Sequence, residues 1–486
     1  MSLLLLNEKK EDSATRAHEY ITAVICAGCN MDLPPEIFKA YDIRGIVGCS
    51  LTESIVEELG WAIGDTSIER GIRTIIIGWD GRPSGPIFAN ALASGIQSSG
   101  CDVILIGMTP TPVTYFATHF LNIHSAVAIT GSHNPSQYNG LKIIIAKETL
   151  AGEAIQSLRA RCSLRKNRSK GNILNRSVNT AYCSAIQSDI RLDKPLRIAI
   201  DFGNGVAGNI GPDLYRSLGC QVVAIHAEVD GNFPNHHPDP SQPENLCDLQ
   251  DIVTDQKLDF GLAFDGDGDR LGVVSPDGEI IWPDRQLILF AQDILERKPG
   301  SEIIFDVKCS RNLSKAIDNA GGIPTMWRTG HSFIKAKLKQ SGAALAGEMS
   351  GHIFFQDRWY GFDDAIYAGA RLCEFISTHQ ESVNHIFNTI PNTINTPELR
   401  LEMDEGSHHQ LIGKLKESAK FDYGTISHLD GIRVDYPDGF GLARASNTTP
   451  TIIFRFEADS NKALQRIQND FRKNITMLIS GSNLPF

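Results

Sequence analysis

Residues able to do chemistry are concentrated in four short stretches of the chain. Thr130-Gly131-Ser132-His133-Asn134-Pro135 puts a serine on a loop of small, turn-forming residues. It lies between the apolar runs Ala126–Ile129 and Leu141–Ile145, with Tyr138-Asn139-Gly140 reading as a second turn and Lys142 ten residues beyond the serine. Asp265-Gly266-Asp267-Gly268-Asp269-Arg270 alternates carboxylates with glycines. In an extended loop, carboxylates at i, i+2 and i+4 point to one side. So grouped they repel unless a cation neutralises them, and all-oxygen ligation suits Mg²⁺. A calcium-binding helix-loop-helix does not fit, because its sixth position is Arg270 rather than Gly and its twelfth is Pro276 rather than Glu. Gly347-Glu348-Met349-Ser350-Gly351-His352 offers acceptors and donors suited to sugar hydroxyls. Arg444-Ala445-Ser446-Asn447-Thr448 offers a guanidinium, hydroxyls and backbone N–H groups, the parts of a phosphate cradle.

Ser132 by itself reads equally as a turn residue. A hydrolase nucleophile would want Gly-x-Ser-x-Gly, and Asn134 stands where the second glycine belongs. A serine facing a three-Asp metal site is better suited to carrying a phosphoryl group, with the metal bridging phosphate and carboxylates. Lys142 reaches back over Ser132, and in a cationic pocket its pKa is expected to fall far enough for acid–base work. His331, in Arg328-Thr329-Gly330-His331-Ser332-Phe333, is a second acid–base candidate. Tyr41, Arg44, Lys308 and Arg433 supply further donors or charge.

A threefold repeat positions these loops. Unit one runs from the strand Thr74–Gly78 through Asp80-Gly81-Arg82, a helix over about 86–98 and the strand Val103–Ile106 to Ala126–Ile129, which delivers Ser132. Unit two runs from Arg197–Ile200 through Asp201-Phe202-Gly203 and Val222–Ile225 to Phe260–Phe264, which delivers the three aspartates. Unit three runs from Ile303–Phe305 through Asp306-Val307-Lys308 and Pro324–Trp327 to Ala344–Ala346, which delivers Glu348. Each loop is followed by a returning apolar strand: Leu141–Ile145, Leu271–Val274 or Ile353–Phe355. Ahead of the repeat, Leu51–Ile63 reads as an amphipathic helix. The expectation is three similar mixed-sheet α/β domains plus a C-terminal α+β domain around a central cleft, with ligand sites at strand C-terminal ends. The boundaries fall at a 1–35 extension, then 36–178, 179–279, 280–391 and 392–486.

The 486 residues carry a net charge of −11, which argues against general nucleic-acid or membrane-surface binding. An anionic ligand therefore needs a local Arg/Lys cluster. No apolar run approaches a membrane span, Leu3–Leu6 is too short for a signal core, and a cytoplasmic location is expected. The ten cysteines read as reduced thiols, and the Cys26/Cys29 pair, read as a redox or half-zinc site, lacks both a second Cys pair and a strand-helix context.

Taken in order, Thr-Gly-Ser-His-Asn-Pro, Asp-Gly-Asp-Gly-Asp-Arg, Gly-Glu-Met-Ser-Gly-His and Arg-Ala-Ser-Asn-Thr-Thr-Pro resemble the loops of the α-D-phosphohexomutases, most closely the bacterial phosphomannomutase/phosphoglucomutases. The resemblance covers about 36–486 and leaves the extension outside it. It implies four domains round a cleft, a phosphoserine at Ser132, and one Mg²⁺ held by Ser132, Asp265, Asp267 and Asp269. Ser132, Lys142, His331 and Arg270 would be catalytic. Tyr41, Arg44, Lys308, Thr329, Gly330, His331, Glu348 to His352 (with Met349, Ser350 and Gly351), Arg433 and Arg444 to Thr448 (with Ala445, Ser446 and Asn447) would bind substrate. The implied reaction exchanges hexose 1-phosphates and 6-phosphates of mannose or glucose through a hexose 1,6-bisphosphate, in a monomer or weak dimer. Phosphoglucosamine mutase is the alternative within the class. Met349 favours the mannose/glucose branch over it. A metal-dependent phosphatase and a non-catalytic sugar-phosphate-binding protein are the alternatives outside the class.

Overall fold

The structure is a computed structural model, and it describes residues 33–162, 164–166, 168–404, 406–447, 449–479 and 483–486. Thr448, Cys26, Cys29 and nearly all of the 1–35 extension lie outside the described residues. The cysteines among the described residues are free thiols.

The first sheet contains β1 (Ile43–Ile46), β2 (Thr74–Trp79), β3 (Asp102–Met108), β4 (Ala126–Ile129), β5 (Tyr138–Ile145), β6 (Glu148–Thr149) and β7 (Ile173–Asn175), in the order β1-β5-β4-β2-β3-β7 with β6 on β5. The second has β8 (Arg197–Asp201), β9 (Gln221–Ile225), β10 (Phe260–Phe264) and β11 (Leu271–Val274), ordered β11-β10-β8-β9. The third has β12 (Glu302–Asp306), β13 (Ile323–Trp327), β14 (Leu345–Gly347) and β15 (Ile353–Phe355), ordered β13-β12-β14-β15. The central part β5-β4-β2-β3 of the first sheet has the same order and strand sense as the other two. Three parallel strands are joined by one antiparallel returning strand in each. The repeat inferred from sequence is therefore a repeat of structure, and the chemistry-bearing loop follows the corresponding strand (β4, β10, β14) each time.

The fourth sheet is built differently, from β16 (Ile394–Asn395), β17 (Leu399–Glu402), β18 (Thr425–Ser427), β19 (Ile432–Tyr436), β20 (Gly439–Ala445) and β21 (Thr451–Ala458). All its pairings are antiparallel. The helices Ser407–Ser418 and Asn461–Thr476 pack against it.

Two expectations are corrected. Tyr138-Asn139-Gly140 is strand rather than turn, because β1 pairs there, with Arg44 opposite Gly140 and Gly45 opposite Asn139. The first helix spans Glu53–Glu69, past the predicted end at Ile63, with Thr52 as its N-cap accepting from Ile55 N. Glycines set how closely this helix meets the helix Gly85–Ser98: a Cβ on Gly60 would fall 2.4 Å from Leu92 O, and one on Gly95 2.0 Å from Glu57 O.

One continuous core links the first three domains. At its centre Asp364 caps the helix Ala365–Thr378, accepting from Tyr367 N at 2.9 Å, Tyr182 OH at 2.7 Å and Trp359 Nε1 at 3.0 Å. Trp359 stacks on Tyr367 with centroids 4.3 Å apart. Each such buried aromatic contributes about 1.5–3 kcal/mol of apolar burial, so the frame holding the loops is rigid where they are anchored.

Candidate active site

Ser132 sits at the end of β4 in left-handed backbone, with φ +49°, a strained conformation for a non-glycine residue. The strain is held by two partners. Asp80, at the end of β2, accepts from Thr130 Oγ1 (2.8 Å) and Gly131 N (3.2 Å), and Thr130 Oγ1 accepts from Ser132 N (2.7 Å). Arg82 is fully buried and spreads its guanidinium over the loop. Nη2 donates to Ser132 O (2.8 Å) and Asn134 O (2.6 Å), Nη1 to Pro135 O (2.7 Å) and Tyr138 O (2.9 Å), and Nε to Asp80 (3.2 Å). Gly131 is obligatory here, since a Cβ would lie 2.4 Å from the Arg82 guanidinium carbon. Arg82 carries little local signal of this role. Its only signal was the recurring Asp-x-Arg/Lys at the ends of β2 and β12.

The carboxylate loop is a turn, not the extended strand its alternation suggested. Asp265 Oδ1 accepts from the backbone N–H of Gly268 (3.1 Å), Asp269 (3.0 Å) and Arg270 (3.1 Å), so the loop curls round its own first aspartate. Gly268 supplies the positive φ of +77°. All three carboxylates are buried, and each offers an oxygen within 4.8 Å of the others. Ser132 Oγ donates to Asp265 Oδ2 at 2.9 Å. Among the described residues Asp267 Oδ1 has no hydrogen-bond partner, and Asp269 Oδ1 lies 3.3 Å from His352 Nε2 without a hydrogen bond of its own. Oxygens buried without donors are costly, and with the serine they form an all-oxygen donor set that fits a hard divalent cation.

Lys142 Nζ donates to Asp267 Oδ2 at 2.8 Å and to Asp269 Oδ2. Burial is the largest influence on Lys142 and lowers its pKa, but Asp267 and Asp269 outweigh it and leave the group above the ordinary lysine value. The expected depression is thus reversed: the pocket around Lys142 is anionic, not cationic. Burial pushes Asp265 well up, helped by Asp267 and Asp269. On Asp269 burial is overcome by Lys142 and His352, which hold it well below the carboxylate range.

His331 opens the helix His331–Ser341 after Gly330, whose φ is +132°. Burial, then Lys335 and Lys142, holds its imidazole well below 6.5 and therefore neutral. Among the described residues its Nδ1 makes no hydrogen bond; it lies 3.5 Å from Asp363 Oδ2, while Lys335 Nζ donates to Asp363 Oδ1 at 2.8 Å. Tyr41 meets the His331 ring edge-on at 5.2 Å. His352 contrasts with it: burial works against its charge, yet Asp269 and Glu348 bring its pKa up to about 9. His352 Nδ1 lies 3.0 Å from Glu348 Oε2, and Glu348 Oε1 accepts from Gly330 N at 2.6 Å. Arg270 pairs with His352 as an isolated antiparallel bridge, and Leu271 N donates to Gly351 O at 3.1 Å. Ser350 Oγ lies 3.0 Å from His352 Nδ1, and Met349 is packed on the core. The metal loop and the Glu348 loop are therefore stitched together.

The fourth domain docks on this assembly. Asp430 accepts from Arg444 Nε (3.0 Å) and, across the domain boundary, from Thr329 N (3.0 Å). Lys308 Nζ donates to Glu398 Oε1 at 2.6 Å. Ser446 N donates to Thr451 O, closing the loop that carries Ala445 and Asn447. Arg44 donates to Asn134 Oδ1 at 2.6 Å on the opposite wall. Arg433 is corrected: its Nη1 donates to Val307 O (2.7 Å) and Cys309 O (2.8 Å), and Nε and Nη2 clasp Asp435. With its guanidinium stacked on Phe440 at 3.8 Å, Arg433 ties the last two domains together instead of facing a ligand. Asp363, Lys335, Asp430 and Glu398 had no local motif to reveal them.

Four family models match the chain in order. They are described as phosphoglucomutase/phosphomannomutase alpha/beta/alpha domain I over residues 35–164, domain II over 180–278, domain III over 282–394, and the C-terminal domain over 398–474. The chain belongs to the phosphoglucomutase/phosphomannomutase family. The phosphomannomutase/phosphoglucomutase of Pseudomonas aeruginosa is 50% identical over 457 residues, covering 93% of this chain and 98% of that protein. The phosphoglucomutase of Neisseria gonorrhoeae is 50% identical over 442 residues, covering 90% and 96%. The crystal structure of a phosphoglucomutase/phosphomannomutase family protein from Burkholderia thailandensis superposes with a TM-score of 0.89 at 47% identity, covering 93% of this chain and all of that one. Among the described residues no helix is long and apolar enough to cross a membrane.

Proposed function

We propose that this family member interconverts hexose 1-phosphates and 6-phosphates of mannose and glucose, with phospho-Ser132 as donor and a hexose 1,6-bisphosphate as intermediate. The observation that carries this is the placement of Ser132 Oγ directly on the buried three-Asp cluster, 2.9 Å from Asp265 Oδ2. A divalent ion held by Ser132, Asp265, Asp267 and Asp269, which we take to be Mg²⁺, supplies charge neutralisation at the transferring phosphoryl group.

The chain's own residues do the rest. Arg82 and Asp80 fix the serine backbone so that Oγ points at the cluster. Lys142, kept charged by Asp267 and Asp269, offers a fixed positive group on the carboxylate cluster that Ser132 Oγ faces. His331, kept neutral by burial, accepts a proton from the attacking sugar hydroxyl. Glu348 and Ser350 read ring hydroxyls, and Arg444 with the loop to Thr448 holds the far phosphate. Because the intermediate must return reversed, this distal site accepts either end of the sugar. The Asp430 and Lys308–Glu398 contacts close the last domain over the cleft, which shields the phosphoserine from water. We also propose the domain divisions 36–178, 179–279, 280–391 and 392–486, a monomer or weak dimer, and a cytoplasmic location.

Ser132→Ala tests this reading. Mutase turnover should fall by orders of magnitude with the fold retained, and near-normal turnover would remove the phosphoserine role. A coupled assay on mannose 1-phosphate, glucose 1-phosphate and glucosamine 1-phosphate separates the amino-sugar alternative. Rapid release of inorganic phosphate would instead mark a phosphatase.

A further inference from the structure

The three repeated units each end their first strand in an aspartate that accepts, through Oδ1, from the backbone N–H two residues on. The pairs are Asp80 with Arg82 N (3.0 Å), Asp201 with Gly203 N (2.8 Å) and Asp306 with Lys308 N (3.2 Å). The second oxygen is the free hand of each unit. In units one and three it accepts from Thr130 Oγ1 and Thr329 Oγ1, bracing loops of the active site. In unit two it faces an imidazole instead: Asp201 Oδ2 lies 2.8 Å from His236 Nε2. A second imidazole stands beside the first, His226, with its ring 5.2 Å from that of His236 and nearly perpendicular to it. Asp201, His226 and His236 each offer a ligand atom within 4.8 Å of the others. A second carboxylate, Asp248 Oδ2, lies 3.0 Å from His226 Nε2.

We propose that Asp201, His226 and His236, with Asp248 alongside, form a second divalent-metal site of the Zn²⁺ type, separate from the three-Asp site. Two imidazoles and carboxylates are the donor set of a borderline ion such as Zn²⁺, whereas the all-oxygen cluster suits Mg²⁺. Ligand atoms on a tetrahedral Zn²⁺ lie about 3.4 Å apart, given bonds of about 2.0–2.1 Å. The Asp201–His236 contact at 2.8 Å would open slightly to reach that, and the remaining ligand atoms, all within 4.8 Å of one another, would close by at most about 1.4 Å. The four side chains come from different elements: the end of β8, the residue after β9, the 228–240 loop, and the helix Cys247–Asp255. The His side chains are 18% and 16% exposed, so the cluster is reachable from solvent yet shielded. A proton shared by Asp201 and His236 would tie down the loop, but such a clamp has no use for His226 or Asp248.

An ion here would brace the 228–240 loop. That loop lies under the catalytic centre: Phe233 lies 5.1 Å below the Arg82 guanidinium, and Pro238 packs where a Cβ on Gly203 would meet it at 3.0 Å. The site would stiffen the support of the Ser132 loop without touching substrate.

The test dialyses the full-length protein against micromolar Zn²⁺ in millimolar Mg²⁺, which occupies the three-Asp site, and counts bound zinc by elemental analysis. Wild type should hold one equivalent more than His226→Gln and His236→Gln, and zinc should raise the melting temperature of wild type only. Co²⁺ in place of Zn²⁺ should give a visible band of four-coordinate N/O type that both variants lose. Circular dichroism of His226→Gln, a partly exposed position, confirms that the variant is folded. Equal zinc content in wild type and folded variants, or no zinc in wild type, overturns the proposal in favour of the proton clamp. Neither outcome bears on Ser132.

Discussion

Arg82→Lys is the perturbation that most directly probes how the serine is held. Arg82 spends all five of its N–H donors on Asp80 and on the carbonyls of Ser132, Asn134, Pro135 and Tyr138. Lysine keeps the charge opposite Asp80 but has three donors on a single atom and cannot span this arc. At least two of these carbonyls, most of them part-buried, lose their donor, and at about 1 kcal/mol or more each the loop conformation loses on the order of 2 kcal/mol or more. Ser132, at φ +49°, is already in backbone that needs external support. The loop should therefore relax rather than the whole protein unfold, because the core beneath it does not depend on Arg82. A serine displaced by about 1 Å from its productive position costs on the order of 10²-fold in turnover. Steady-state kinetics on glucose 1-phosphate, coupled to oxidation of the product, should show kcat down by about that factor with KM changed far less, and hydrogen exchange should rise across residues 130–138. Arg82→Lys with wild-type kcat and unchanged exchange would refute the argument that this guanidinium sets the loop.

Asp267→Asn removes an oxygen donor and the partner of both Lys142 Nζ and Thr111 Oγ1. Divalent-ion affinity by calorimetry and mutase activity should both fall by more than tenfold, and chelation should silence the wild type reversibly. Asp430→Asn weakens the contacts to Thr329 N and Arg444 Nε. At about 1.5 kcal/mol for one charged hydrogen bond, KM for hexose phosphate should rise about tenfold, and an unchanged KM would count against the role of Arg444. Glu398 is half-buried beside Lys308, and although desolvation raises its pKa, the ammonium and its hydrogen bond bring it to about 2, below the unfolded value of 4.5. A depressed carboxylate contributes stability that is complete above pH 4.5 and lost as pH falls toward 2. The melting temperature of wild type should therefore drop more steeply than that of Glu398→Gln across that window, and parallel curves would remove the pair from the account.

Most of the architecture was legible because strand composition and loop chemistry recur three times. Ala126–Ile129, Phe260–Phe264, Leu271–Val274 and Ile353–Phe355 are strands with the expected bounds. Tyr138–Gly140 was missed because Asn-Gly has strong turn chemistry locally, and only pairing with β1 overrides it. The aspartates were recognised as convergent for the wrong local reason. The alternation suggested an extended loop, while the observed turn is closed by three N–H groups on Asp265.

The sequence by itself determined which residue types the chemistry has at its disposal: a serine, three carboxylates, two histidines and an arginine loop, each at the end of a recognisable strand. Those choices are local, encoded in composition and spacing within a dozen residues. Only the tertiary structure decided their electrical state and their partners. Lys142 is held charged because strands from two domains bring it against Asp267 and Asp269, 125 and 127 residues away. His331 is held neutral and His352 charged because one is buried beside Lys335 while the other lies between Glu348 and Asp269. Arg433 is a clamp because the third domain presents carbonyls to it. Charge state depends on burial and on the nearest opposite charge, and both are long-range products of folding that no short stretch of chain contains.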